Sequence, residues 1–172
     1  MKQYLKKRYL ENSLLLLLII FGGACKVVAA YFIGDGFNEL IKSNTDGFFY
    51  NIAYAGIVFL LYLVSIYIKI PYENYVVQKM ITDIRCDVVD AISKNNYANF
   101  NKKNSGDYIS WLSNDLMIVE EKGFGNFYQS ITAIIETLLA IVGLFAFHWS
   151  IIVFSIVMSV LTLVLPALAQ KS

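Results

Sequence analysis

Four apolar runs, at residues 13–33, 48–70, 127–147 and 149–169, constrain this chain more than any other feature of its sequence. As α-helices rising 1.5 Å per residue, each can cross the roughly 30 Å hydrocarbon core of a bilayer. Lipid offers the backbone no hydrogen-bond partners, so a spanning segment must satisfy its own N–H and C=O groups, and a helix does so within one segment. Composition agrees: 58% of residues are hydrophobic, 16% are charged and the mean hydropathy is +0.57, a balance that cannot keep the surface of a soluble domain dissolved. The fold class expected is all-α, a multi-span membrane helical bundle. A net charge of +1 gives no electrostatic footprint for nucleic acid.

The charges set the expected topology. Lys2, Lys6, Lys7 and Arg8 cluster in residues 1–12 ahead of the first run, which places the N-terminus in the cytoplasm by the positive-inside rule. Residues 34–47 carry Asp35, Glu39 and Asp46 against Lys42 and are expected to form an outer loop. Lys69 can snorkel to the inner face at the end of the second run. Pro71 follows and removes the N–H that would pair with the Tyr67 carbonyl, so a kink in a continuing helix is expected there. A rival reading takes Gly22-Gly23-Ala24-Cys25 as a lipoprotein signal, but the apolar run continues through Val27 to Ile33 without a break.

Residues 71–126 are too long and too periodic for a loose loop. Met80, Ile84, Val88 and Ile92 step at helical spacing, and Ile109, Leu112, Leu116 and Val119 repeat it, so two amphipathic helices are expected as an antiparallel cytoplasmic hairpin between spans 2 and 3. Arms of about 25 residues would project roughly 35 Å. The polar link between them carries Tyr97 and Phe100, three apart on one face of a short helix, with Gly106 breaking that helix and Asp107 capping the next. Two aromatics on a polar link suggest an anchor. Gly123 and Gly125 read as packing or flexing points at the return to the membrane. Only His148 and Trp149 remain for the turn between spans 3 and 4, which makes those helices tight neighbours; Pro166 falls near the inner end of span 4.

The stretch Asp83-Ile84-Arg85, Asn96-Tyr97-Ala98-Asn99-Phe100, Ser105-Gly106-Asp107-Tyr108-Ile109-Ser110 and Asn114-Asp115 resembles the first intracellular loop of ABC exporters, with Trp111 where that family usually carries Arg. The resemblance extends from about residue 10 to the C-terminus. It implies six spans, of which this chain carries the first four, and partners in the form of an ABC nucleotide-binding domain and a second transmembrane half, identical or paralogous. It also implies that Tyr97 and Phe100, flanked by Gly106 and Asp107, couple ATP-driven closure of the nucleotide-binding domains to alternating access of a translocation path in the cell membrane. ATP and magnesium would sit on the nucleotide-binding domain, with no cofactor in this chain. The alternative is a small stand-alone four-span interaction or immunity protein.

Nothing in the residues points to catalysis by this chain. There is no Gly-x-x-x-x-Gly-Lys-Ser/Thr loop and no His-Glu-x-x-His, and one His with two Cys makes no zinc ligand set. Cys25 in a span and Cys86 in the hairpin differ in compartment, which argues against a disulfide. Lys26 and Glu136 are the ionisable residues well inside spans, where a charge costs at least about 2.5 kcal/mol and is usually paired or functional. Counted from residues 13 and 127, they lie roughly 20 and 14 Å deep. The Lys stem leans toward its N-terminus and can cover that gap, so a pair lining the translocation path is one reading. The others are a Lys26 that snorkels outward and a protonated Glu136 held by Ser or Thr.

Overall fold

The computed structural model describes residues 2–94, 105–147 and 153–162. Helices α1 (Lys2–Lys7), α2 (Tyr9–Ile41) and α3 (Thr45–Ser93) come first. Next, α4 (Ser105–Ser110) leads into a π-helical segment at Trp111–Asp115, the single turn α5 (Leu116–Ile118), a second π-helical segment at Val119–Gly125, and α6 (Asn126–Phe147). The short apolar helix α7 covers Val153–Thr162. No strand occurs among the described residues, and three helical stretches are long and apolar enough to cross a membrane. These are the features of an all-α membrane bundle. The turn at His148 and Trp149, the ends of the fourth run and Pro166 lie outside the described residues.

The chain divides into two compact units. The first comprises Met1–Phe21 and Leu63–Ile134. Its core is Leu15 and Ile19 of α2, Val76, Val77, Met80 and Ile81 of α3, and Leu116, Phe124 and Tyr128 on the returning segment. The expected stripe through Met80 continues in the half-buried Ile84, Val88 and Ile92. On the return, Leu112 and Val119 are half-buried, but Ile109 is exposed rather than part of the stripe. Gln78 Nε2 donates to Glu120 Oε1, which ties the two arms together as an antiparallel hairpin requires.

Pro71 lies inside a continuing α3, as expected, and marks no boundary. The return does depart from the sequence reading, where plain α-helix was expected. A π turn takes up an extra residue and moves the apolar face, so Phe124 and Tyr128 can join Leu116 in the core. Gly123 and Gly125, weak α formers, lie within that second π segment.

The basic N-terminus is fastened to the arm of α3. Arg8 forks onto Asp83, with Nε 3.0 Å from Oδ2 and Nη2 3.2 Å from Oδ1, while Lys7 reaches the same carboxylate at 3.1 Å. The Tyr4 hydroxyl donates to Asp87 at 2.7 Å, and Glu11 faces both Arg8 and Lys79. Burial opposes the charge on Asp83, but hydrogen bonds from Lys7 and Arg8 and their positive charges outweigh it and hold its carboxyl below the usual value. A lowered folded pKa means the clamp is intact above about pH 4 and is lost only as pH falls through that lower value. Lys69 points along α3 toward Glu73, 3.0 Å away, and lies 3.5 Å from the Thr132 hydroxyl of α6.

The second unit comprises Gly22–Tyr62 and Ile135–Ser172. Here the expected outer loop at 34–47 contracts to three residues, because α2 runs on to Ile41 and α3 starts at Thr45. The turn closes as a Schellman motif: Asn44 N–H donates to the Glu39 carbonyl and Ser43 N–H to the Leu40 carbonyl, both at 3.0 Å, with Ser43 left-handed at φ 61°. Asn44 then caps α3, its Oδ1 accepting from Gly47 N–H at 3.1 Å. Gly47 has to be small, since a Cβ there would stand 2.6 Å from Asn44 Nδ2. Charges expected to keep a loop in water instead brace this turn. Glu39 pairs with Lys42 at 2.8 Å and accepts from Asn44 at 2.7 Å, and those two bonds hold its carboxyl below the usual value.

Candidate functional site

Within the second unit, α2 and α6 approach closely because small residues line their contact. A Cβ on Gly23 would lie 2.6 Å from Leu139 Cδ1, and one on Gly143 would lie 2.6 Å from Val27 Cγ1. Val27 follows Gly23 by four residues, as Gly143 follows Leu139, so the two helices run parallel with one turn of each matched to one turn of the other. Small residues that let backbones approach are the usual basis of helix association in lipid, where no hydrophobic force drives it.

That approach brings Lys26 to Glu136. Lys26 Nζ donates to Glu136 Oε1 at 2.8 Å, and the side chains keep 39% and 38% of their accessible surface. The Lys stem closes the roughly 6 Å difference in depth expected from the sequence. Neither outward snorkelling nor a Glu136 held only by a hydroxyl describes this geometry. A third helix contributes Tyr62 of α3, whose ring centroid is 5.0 Å from Lys26 Nζ. The negative face of the ring adds to the neutralisation, worth about 0.5–2 kcal/mol. Tyr62 went unrecognised in the sequence, since an aromatic ring in an apolar run carries no signal of its own until a cation is placed against it. Beside the pair, Lys26, Val27, Ala30, Ala140, Gly143 and Leu144 line a cleft of about 280 Å³. Chemically, the site is a neutralised ion pair beside a largely apolar cleft.

The close approach itself is testable. Gly143→Ala places a methyl against branched Val27 and is expected to destabilise the purified protein by about 1–3 kcal/mol through overpacking. Gly56→Ala, where nothing lies within 4 Å of the added atom, is expected to gain about 0.5–1 kcal/mol of helix preference. Thermal unfolding that shifts the same way for both variants would contradict this packing.

Of the expected coupling residues, Tyr97 and Phe100 lie outside the described residues. Gly106 and Asp107 both belong to α4, where Asp107 is inside the first turn rather than at the cap before it; the short helix that Gly106 was expected to end lies outside the described residues. Gly106 is exposed and nothing within 4 Å would oppose a side chain. Cys25 is buried in α2, Cys86 is exposed on α3, and both are free thiols. Among the described residues no three of His, Cys, Asp or Glu converge as metal ligands.

Residues 13–172 match the family model of the ABC transporter transmembrane region. No curated protein and no solved structure matches the chain.

Proposed function

Because the chain belongs to the ABC transporter transmembrane-region family and so forms membrane-spanning structure of such a transporter, we propose that it lines the path of an ATP-driven exporter and carries ATP-driven motion into that path. A transmembrane region of this kind is not itself catalytic. On this reading a partner nucleotide-binding domain binds ATP and magnesium and seats Tyr97 and Phe100 in an apolar groove. A second transmembrane half completes the path on the other side, and Lys26 and Glu136 face it.

The observation that supports this reading best is the unbroken course of α3 from Thr45 to Ser93 through Pro71. At 1.5 Å per residue it is roughly 70 Å long, more than twice the hydrocarbon thickness. On this reading a displacement imposed beyond its C-terminal end is carried along α3 toward the spanning part. The orientation in the cell membrane follows from charge. The basic N-terminus and the arm of α3 share a side, because Lys7 and Arg8 hold Asp83, and the positive-inside rule places that side in the cytoplasm.

Single cysteines in a cysteine-free background test the reading in the assembled transporter. An impermeant thiol reagent applied to intact cells should label position 40 and spare position 103. A cysteine at position 100 should cross-link to the nucleotide-binding domain. Labelling of 103 instead of 40 would reverse the topology, and a position 100 that never cross-links would remove the coupling contact.

A further inference from the structure

The N-terminal cations divide into two pairs. Lys7 and Arg8 are committed to Asp83. Lys2 and Lys6, four apart on one face of α1, make no ion pair among the described residues, and both line a cleft of about 380 Å³. The rest of its lining is largely apolar, with Tyr9, Leu16, Phe127 and Ile131 among the side chains contributed by α2 and α6 and the residues at their starts. Ser13 and Phe127 are both in that lining, and with these as the inner edges of spans 1 and 3 the cleft would sit where headgroups give way to acyl chains.

We propose that this cleft holds one anionic phospholipid, its phosphate against Lys2 and Lys6 and an acyl chain along Leu16 and Ile131. Charge complementarity selects the occupant. The apolar wall suits a hydrocarbon chain, which any lipid offers, but two lining lysines with no ion pair among the described residues favour a headgroup with net negative charge over a zwitterionic one. Exposed Tyr9 adds an amphipathic ring at the same level. From the proposed topology the inference takes only that this end lies at the inner leaflet, where anionic lipids attract juxtamembrane cations. Lipid then braces α1 from one side while Asp83 holds it from the other.

The test measures lipid selectivity of the intact protein in vesicles of phosphatidylcholine containing phosphatidylglycerol, by the fraction of each lipid retained on mild extraction. Phosphatidylglycerol should be enriched. Lys2→Gln with Lys6→Gln should cut that enrichment on the order of twentyfold, about fivefold per lysine. Lys2→Arg with Lys6→Arg should keep it, and Leu16→Trp, which fills the cleft and spares both lysines, should reduce it. Lys122→Gln, at an exposed cation outside the cleft, should change nothing. Unchanged enrichment in the double Gln variant, or an equal loss from Lys122→Gln, would overturn the site. Inorganic phosphate alone displacing phosphatidylglycerol at millimolar concentration would overturn the lipid as its occupant. Because selectivity is read without ATP or cargo, its failure would leave the transport reading untouched, and the reverse also holds.

Discussion

Lys26→Glu and Glu136→Lys are each expected to remove most transport from the assembled transporter, and the double exchange is expected to restore part of it. Each single variant puts two like charges where a 2.8 Å pair stood, and a charge at that depth without a counter-ion costs about 2.5–3.5 kcal/mol even on the mildest scale. At 1.4 kcal/mol per decade, that alone exceeds a fifty-fold change in the population of the competent arrangement. The double exchange restores neutrality. It cannot restore everything, because the ring of Tyr62 then faces a carboxylate instead of an ammonium group, which turns an attraction of about 0.5–2 kcal/mol into a repulsion. Recovery should therefore be incomplete in the double variant and larger when Tyr62→Leu is added to it. Transport assays on variants matched for membrane insertion decide the matter. A double exchange no better than the worse single change would reject the direct pair as a working element.

Phe100→Asp should abolish coupled transport while leaving the chain inserted. If the ring fills an apolar groove on a nucleotide-binding domain, its loss and the burial of a carboxylate together cost several kcal/mol, enough to empty the contact. Cargo should then cease to stimulate ATP hydrolysis, whereas basal hydrolysis, which needs only the nucleotide-binding domains, should persist. Phe100→Leu keeps an apolar side chain and should retain partial coupling. A normally inserted Phe100→Asp protein whose ATP hydrolysis still responds to cargo would rule out the coupling role.

Much of this architecture was legible because lipid makes demands that one strand of text can answer. Three helices long and apolar enough to cross a membrane follow from the first three apolar runs, and the continuing helix beyond Pro71 follows from the periodicity of Met80, Ile84, Val88 and Ile92. Helix ends were less legible. Residues 34–47 look like a loop because Asp35, Glu39, Lys42 and Asp46 are polar, yet polar residues continue a helix readily once it leaves the lipid, and the turn was settled by capping chemistry at Ser43 and Asn44. The π turns at Trp111–Asp115 and Val119–Gly125 have no periodic signature of their own, since they are defined by which face must meet the core.

By itself the sequence determined that this chain carries membrane-spanning helices and that Lys26 and Glu136 needed an answer to their charge, since burial of apolar runs and the cost of isolated charges act on each segment separately. Only the tertiary structure decided what that answer was. The pair exists because Gly23 and Gly143 let α2 and α6 approach, and Tyr62 joins it from α3. Likewise, Lys7 and Arg8 are spent on Asp83 while Lys2 and Lys6 face a cleft, a division invisible among four neighbouring cations. The ion pairs among them join residues 75 to 110 positions apart. Coulomb energy and packing depend on distance in space, and local patterns carry no record of that distance.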